Sequence, residues 1–527
     1  MENVHILANY QEVFGEKLPE VSDVMGREVS VEMLSTLSML SWKNNVQEIS
    51  QWVLKNLSLT EAGNATALNR SFTTKSSSKW LWLYALNNFA GSEDVTKGQR
   101  DRHFERVIRS LTILNKKEIE KENAIGYLMN NGLDFYRDNY FWQINRTMRS
   151  LVNEKRMKKY ASEFYQFHNV KLTDYMELHS HLARRFNDGS SQLSRVTPEV
   201  WIVDLDDLAK GTRLASAELE KIMRTCSFSI DEFRANASDF EDENNWSAYL
   251  RKHPYFRVSE KKYIPVSGTF AENLLYNELF HKIKDSSSNP IQFMGDYGHC
   301  FEDYISNLIK LACQKSYTHN YKYLPEFKYD ANSKSSSDAY IYFRDERLKQ
   351  DVVIVIEMKA KRIREQARVI SPSKKDIQIS IDKTIREPLN QALSVTCHII
   401  KSGASKVLTK DKVYYFMSVS MDGYTGVFDD FDLTLNPKLT QSIKFGGVFA
   451  TSIEGFECFI RVLMSNYAIS ANAELNEFNA KNKGQSFKTQ MARISNNKLM
   501  NSLEFDDYIN RSVRMTVNNF HLASKKK

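Results

Sequence analysis

The chain has 527 residues, 42% hydrophobic and 26% charged. That excludes a wholly disordered or fibrous protein and, at ~150 residues per domain, allows three or four domains. Its 72 basic against 65 acidic residues leave a net charge of +7, which permits nucleic acid as a partner without demanding it, because a local basic surface matters more than the sum. Gly (19) and Pro (9) fall far below their combined average usage of ~12%, so long helices are expected over loops. The five cysteines, Cys226, Cys300, Cys313, Cys397 and Cys458, are odd in number and scattered, with no C-x-x-C pair. They suit neither a disulfide framework nor a zinc ribbon and fit a reducing cytoplasm. The first residues, MENVHILANYQEVFGEK, lack a basic start and an apolar core, so no signal peptide is expected. The longest apolar runs, WLWLYAL (80–86) and VVIVI (352–356), are far short of the ~20 residues that span a bilayer. A cytoplasmic protein without a membrane partner is expected.

In chain order, residues 1–63 read as a helical segment. Met33, Leu34, Leu37, Leu40 and Trp42 recur near helical spacing, as do Val46, Ile49, Val53 and Leu57. A Ser/Thr/Asn-rich connector (64–79) leads into a mostly helical module, 80–283, with a break at 186–201 and a mixed stretch to about 255. No internal repeat is visible, and this half carries no chemical signature. After KDSSSNP (284–290) the texture changes. Residues 295–315 predict an amphipathic helix, with Phe301, Tyr304, Ile305, Leu308 and Ile309 in one stripe. Strand-like runs follow at 322–329, 337–343 and 352–361, with a charged turn at 344–350, a helix at 385–400 and a fourth strand at 412–420. The third run is apolar on both faces until its charged end, as a central strand covered by helices should be. The order predicts an α/β domain with a mixed sheet over 290–465, followed by an Asn-rich helical tail, 470–527, ending in three lysines.

The chemistry concentrates at two strand ends. Glu357 and Lys359 lie two residues apart, so they share a face while Met358 points to the other layer. If the strands around 338–343 and 352–359 pair through the intervening turn, Asp338 lies beside Glu357. Two carboxylates and a carbonyl oxygen make a hard oxygen site suited to Mg²⁺ or Mn²⁺. Such an ion lowers the pKa of a bound water and neutralises charge on a phosphodiester. Lys359 beside it could orient that water or stabilise the pentavalent phosphate.

Asp338, then Glu357-x-Lys359 nineteen residues on at the end of an apolar strand, resembles the PD-(D/E)XK nuclease superfamily, with its restriction-endonuclease-like fold. The resemblance covers about residues 290–425. It implies that Asp338 and Glu357 hold the metal and that Glu302, on the preceding helix, completes the shell or recruits a second ion. It implies Lys359 as the residue serving the attacking water and Gln391, on the following helix, as a polar helper. The proline of the family name is Ser337 here. The fold class so implied is α/β, a mixed-sheet restriction-endonuclease-like nuclease core preceded by a large, mostly α-helical N-terminal region. The activity implied is metal-dependent hydrolysis of phosphodiester bonds, with DNA favoured over RNA, as an endonuclease. The pairing with a large helical module looks like bacterial or phage-related defence effectors, and leaves room for a homodimer or a partner protein. The alternative is a catalytically inactive scaffold of the same fold, or a nucleic-acid-binding subunit of a larger complex.

Downstream of the motif, Lys361, Arg362, Arg364, Arg368, Lys374 and Lys375 crowd a short run with one acid, Glu365, and are expected to contact a phosphate backbone. Tyr321, Tyr323, Tyr340 and Tyr342 alternate on strands and are expected to pack rather than stack on bases. Other signals are weaker. Glu260-x-Lys262 precedes the α/β domain, and Glu326-x-Lys328 follows Pro325 without a long apolar run. His179 and His181 have no partner at ligand spacing and read as surface histidines. His299-Cys300 reads as structural, because neighbours on a helix point apart. Asp429, Asp430 and Asp432 read as a turn. No phosphate-binding glycine loop, dinucleotide fingerprint, H-E-x-x-H or G-x-S-x-G occurs.

Overall fold

The computed structural model describes residues 10–514 except for 43–50, 60–74, 92–99, 120–139, 191–197, 331–333, 365–366, 368–372, 424–434, 466–469, 482–486, 496–503 and a few single positions. The chain forms two compact units: residues 1–124, 161–286 and 514–527 in one, and 125–160 and 287–513 in the other. Both are mixed α/β.

The first unit is built around helices α1 (Val31–Trp42), α2 (Lys75–Asn87), α3 (Arg100–Ile119), α4 (Leu172–Ser190) and α5 (Asn277–Ser286). Leu34 and Leu37, Leu81 and Leu86, and Val107 and Leu111 are buried, following the helical spacing that the sequence shows. This half also holds a sheet that periodicity does not disclose: β1 (Val203–Asp204), β2 (Ser227–Ser229), β3 (Tyr255–Arg257) and β4 (Lys262–Pro265), in the order β1-β4-β3-β2. Strands of two to four residues are too short to display an alternation.

The second unit carries the motif residues. Helix α6 (Pro290–Lys315) starts five residues earlier than the apolar stripe suggests, because the Asn289 side chain accepts the Gln292 N–H and Pro290 occupies the first turn. The five-stranded sheet runs β5-β6-β7-β8-β9: β5 (Lys322–Pro325), β6 (Ala339–Asp345), β7 (Gln350–Lys359), β8 (Val413–Ser420) and β9 (Lys444–Ser452). Strands β5, β6 and β7 pair antiparallel, and β7, β8 and β9 parallel. The central strand is β7, buried on both faces from Val352 to Met358, as its unbroken apolar run predicts. On one face Tyr340, Val353, Val355, Tyr414 and Phe416 pack with Ile377 and Ile381 of α7 (Lys374–Ile381), and with Leu389 and Leu393 of α8 (Glu387–Ser402). Each such side chain contributes roughly 1.5–3 kcal/mol on full burial. Helix α6 covers β5, β6 and β7 with Phe301, Tyr304, Ile305 and Leu308 buried.

Two segments join this unit that the sequence places elsewhere. Residues 140–152, expected within the helical module, supply Arg146, whose guanidinium donates to Glu457 at 3.1 and 2.5 Å where both side chains are fully buried. The Tyr304 hydroxyl donates to the same carboxylate at 2.6 Å and accepts from Asn145. The Asn-rich stretch Ala471–Lys481, expected in a separate tail, is tied to the sheet by its amides. Tyr415 donates to Asn472 and Asn476, and Asn479 donates to the Gly446 carbonyl. A Cβ at Gly446 would stand 2.5 Å from the Tyr415 ring, so the close approach of β9 to that ring requires glycine.

The β6–β7 connection is tighter than the charged run suggests. The Asp345 carboxylate, buried, accepts the Arg347 and Leu348 N–H groups at 3.0 Å each, and Lys349 takes a left-handed φ of 51°. The same carboxylate accepts the Ser470 hydroxyl at 2.6 Å and the Asn472 amide at 3.0 Å, and these bonds together hold its pKa below the ordinary value although burial pushes the other way. Asp345→Ala would leave these buried donors unmatched, at about 1–3 kcal/mol for each one unsatisfied. The expected outcome is a lower denaturant midpoint for the second unit with the first unit's transition unchanged, followed by separate tryptophan or proteolysis probes.

Candidate functional site

The hairpin register decides what meets at the sheet end. Ala339 pairs with Ile356, so the next pair outward is Asp338 with Glu357. Pro325 pairs with Ala339 on the other side, and the next bridge, Lys328 with Ser335, is out of step with it by one residue, so Glu326 lies at an irregularity near Asp338. Directly opposed residues of antiparallel strands share a face. Asp338 and Glu357 therefore lie on the face where Tyr340 and Val355 pack.

Each acid has a distinct setting. Asp338 ends the ladder, and its carboxylate accepts the Met358 N–H at 2.6 Å. Glu357, whose side chain is 2% exposed, accepts from the Lys359 ammonium at 3.1 Å. Burial and then the Asp338 charge push its pKa up to about 7. Asp338 is raised as well, first by burial and also by Glu326, with Lys359 and the Met358 N–H opposing. Glu302, on α6, is 44% exposed and lies 3.6 Å from the His299 ring. Burial and then Asp338 raise its pKa, while His299 and Lys359 lower it. Burial lowers the pKa of Lys359, but Glu357 and Asp338 outweigh it, so the ammonium is held above its ordinary value. Four groups from a helix and two strands thus share one electrostatic neighbourhood, as the sequence predicts for Glu302, Asp338, Glu357 and Lys359.

Gln391 is not brought in. It is exposed on α8, away from Leu389, Ala392, Leu393 and Thr396, which face the core. The polar groups nearest the strand ends come instead from β8 and the π-turn before α8. Ser418 pairs with Glu357 and donates to the Thr384 carbonyl at 2.7 Å, and Ser420 pairs with Lys359 and donates to the Asp422 carbonyl. Sequence reasoning passed over Asp422 and discounted Glu326. The signal for Glu326 was its own Glu-x-Lys spelling just past β5, set aside because it follows Pro325 without a long apolar run.

The basic run divides. Arg362 is not a free phosphate contact: its guanidinium is buried against Asp422 at 3.1 Å, and Asp422 also accepts the Ile363 N–H. Lys361, Arg364, Lys374 and Lys375 are exposed. Arg368 lies outside the described residues, as do Asp429, Asp430 and Asp432.

The donor set, all oxygen, suits a hard divalent ion better than zinc. Burial first, and neighbouring carboxylates after it, raise the pKa values of Glu302, Asp338 and Glu357. Among the described residues, however, no three His, Cys, Asp or Glu side chains converge closely enough to hold an ion. Lys359 occupies the Glu357 carboxylate and serves as the local cation, so loading an ion at Asp338 and Glu357 requires that ammonium to move aside.

Neither discounted histidine pair competes. His179 is not a surface residue: it is fully buried in the first unit, 3.7 Å from the Cys226 sulfur, with its pKa lowered to about 3 by burial. Cys300 is buried, its thiol pushed up to about 12 by burial, which leaves it without nucleophilic character. Tyr321 and Tyr340 are buried, and Tyr323 and Tyr342 half-buried, as packing residues. Among the described residues no helix is long and apolar enough to cross a membrane. No protein-family model, curated protein or solved structure matches the chain.

Glu357 holds its proton more tightly in the folded chain than unfolded, so its contribution to stability is full below the ordinary carboxyl range and is lost as pH rises through about 7. Asp338→Asn is expected to move that titration downward without restoring the ordinary value, because burial remains. Difference infrared spectra of isotope-labelled glutamate carboxyls, taken against pH without divalent ions, check it.

Proposed function

We propose that the second unit is a metal-dependent nuclease domain of the PD-(D/E)XK type, hydrolysing phosphodiester bonds with DNA as the favoured polymer. The observation that carries the reading is the register match of Asp338 with Glu357 at the end of a central strand, with Lys359 on the same face and Glu302 within electrostatic reach. The order helix, antiparallel strands, helix, parallel strand around that point supports a restriction-endonuclease-like core.

Asp338 and Glu357, with Glu302 from α6, would hold Mg²⁺ or Mn²⁺, which when bound lowers the pKa of water and neutralises phosphate charge. Lys359 supplies a fixed positive charge two residues from Glu357. Released from that carboxylate, it would orient the attacking water or steady the charge growing on phosphorus. Lys361, Arg364, Lys374 and Lys375 offer exposed cations on the same side of the chain for a phosphate backbone. Glu326 adds negative charge at the rim, which draws a divalent cation toward Asp338.

A second reading rests on the absence of a converged ligand set among the described residues. Here the Lys359–Glu357 pair is permanent, and the unit is an inactive nuclease-fold scaffold or nucleic-acid-binding subunit.

Turnover separates the two. Supercoiled DNA, linear DNA and RNA are incubated with Mg²⁺, with EDTA, and with the Lys359→Ala variant. The nuclease reading expects metal-dependent cleavage of DNA that falls by about 100-fold or more in Lys359→Ala. Cleavage that survives the substitution, or none with any polymer, rejects it. Metal binding gives a second readout. Because Glu357 must lose its proton to ligate, Mn²⁺ affinity is expected to rise with pH up to about 7 and level off above. Glu357→Gln removes that dependence, and Glu326→Gln weakens affinity by about tenfold. Isothermal titration with Mn²⁺ from pH 5.5 to 8.5 checks all three.

A further inference from the structure

At the opposite end of the same sheet lies a cleft of about 700 Å³, between the last turns of α8, the 403–410 loop and the segment just before β9. Its floor is aliphatic, from Leu408, Leu439 and Ile443. Lys401 and Lys410 stand on its walls with hydroxyls at Ser394, Thr409 and Ser442. Among the described residues no Asp or Glu lines it, and neither lysine enters an ion pair. The carbonyl end of α8, which would repel an anion, is closed: Gly403 turns left-handed at φ 67°, and the Gly403 and Ala404 N–H groups bond back to Ile400 and Ile399.

The volume falls within the ~300–1,000 Å³ typical of small-molecule sites. An apolar floor beside two lysines that make no ion pair among the described residues matches a ligand that has an apolar or planar body and an anionic group. The cleft opens where β8 and β9 begin, whereas Glu357 and Lys359 pair with Ser418 and Ser420 near the end of β8. The five residue steps from Val413 to Ser418 put roughly 17 Å between the start of β8 and the partner of Glu357, which keeps the two sites apart. We propose that this cleft is a binding site for a nucleotide-sized phosphate ligand, separate from the carboxylate site and independent of its activity.

The phosphate could belong to a free nucleotide or to a nucleic-acid strand, and the cleft is assigned to the free nucleotide. The test uses the full chain in EDTA, so that the carboxylate site cannot contribute through a metal. ATP is titrated calorimetrically, with adenosine, tripolyphosphate and a twelve-residue oligothymidylate as comparators. Four proteins are compared: wild type, Lys401→Glu/Lys410→Glu, Ser394→Trp and Lys374→Glu/Lys375→Glu. ATP is expected to bind wild type and the Lys374/Lys375 variant alike, and more tightly than adenosine or tripolyphosphate. Reversing Lys401 and Lys410 is expected to weaken it at least about tenfold. Ser394→Trp, which fills the cleft from the exposed face of α8 without changing charge, is expected to weaken it similarly. Absence of ATP binding overturns the proposal. So does binding that is unaffected by both cleft variants, or lost in Lys374→Glu/Lys375→Glu. An oligothymidylate that binds more tightly than ATP and depends on Lys401 and Lys410 overturns the free-nucleotide assignment in favour of a strand path. An unchanged unfolding midpoint for each variant separates lost binding from lost folding.

Discussion

Two carboxyl groups held face to face across an antiparallel strand pair repel each other, and burial strengthens the repulsion by removing water. The β6–β7 register imposes that arrangement on Asp338 and Glu357. A slip of one residue would send Glu357 and Lys359 to the other face of the sheet. One feature opposes the slip. The run from Val352 to Met358 is buried on both faces, so either choice of face satisfies hydrophobicity and the pattern alone does not choose. The turn does choose, because the buried Asp345 carboxylate accepts two successive backbone N–H groups and two side chains from 470 and 472. The far end of the hairpin is thus what places the carboxylates.

The repulsion is balanced locally, by Lys359. One ammonium serves Glu357 by direct contact, and Asp338 and Glu302 through space. It does not fully compensate, since Glu357 keeps a pKa near 7. Structural ion pairs perturb pKa values as functional sites do. Arg146 and Glu457 show the structural case in the same unit. There the carboxylate receives two guanidinium bonds and a phenol at full burial, leaving it no opening to solvent. The Arg362–Asp422 pair is of that kind as well, and it anchors the chain as it leaves β7. The contrast is one of supply: Glu457 accepts three hydrogen bonds from within the protein, although burial raises its pKa too, while Glu357 is met by the Lys359 ammonium.

Much of this was legible in the residues. The uninterrupted apolar run ending in Glu-Met-Lys announced a central strand with its chemistry at one end, and the α6 stripe located Glu302 on a helix border. What escaped reading escaped for physical reasons. Glu326 sits past a four-residue edge strand closed by Pro325, too short for alternation to register. Strand β9 contains Gly446 and Gly447, which carry no pattern, because the Tyr415 ring fills the space of a side chain at Gly446. The asparagines of 471–481 look like a solvated tail until their partners, Tyr415 and the β9 backbone, are known. Gln391 illustrates the opposite error: a helix position transferred by resemblance alone, where the apolar face of α8 turns the amide outward. His179 was misread because a buried, neutral imidazole beside a thiol leaves no trace in local sequence.

The sheet therefore has two chemically unlike ends. Its carboxyl end gathers acids around one lysine, while the cleft at its amino end presents lysines with no acid in its lining among the described residues. Strand β8 runs between them and so does α8, whose preceding turn touches β8 through the Ser418–Thr384 hydrogen bond and whose last turn lines the cleft. The helix and the strand share a packed core that includes Leu389, Leu393, Tyr414 and Phe416, a body that resists continuous deformation because interiors are close-packed. Occupancy at one end can influence the other only if it discriminates between two arrangements of that body. The natural place for such a difference is the π-turn Asp382–Arg386, where the helical ladder is already irregular and where the helix holds the strand that carries the partners of Glu357 and Lys359.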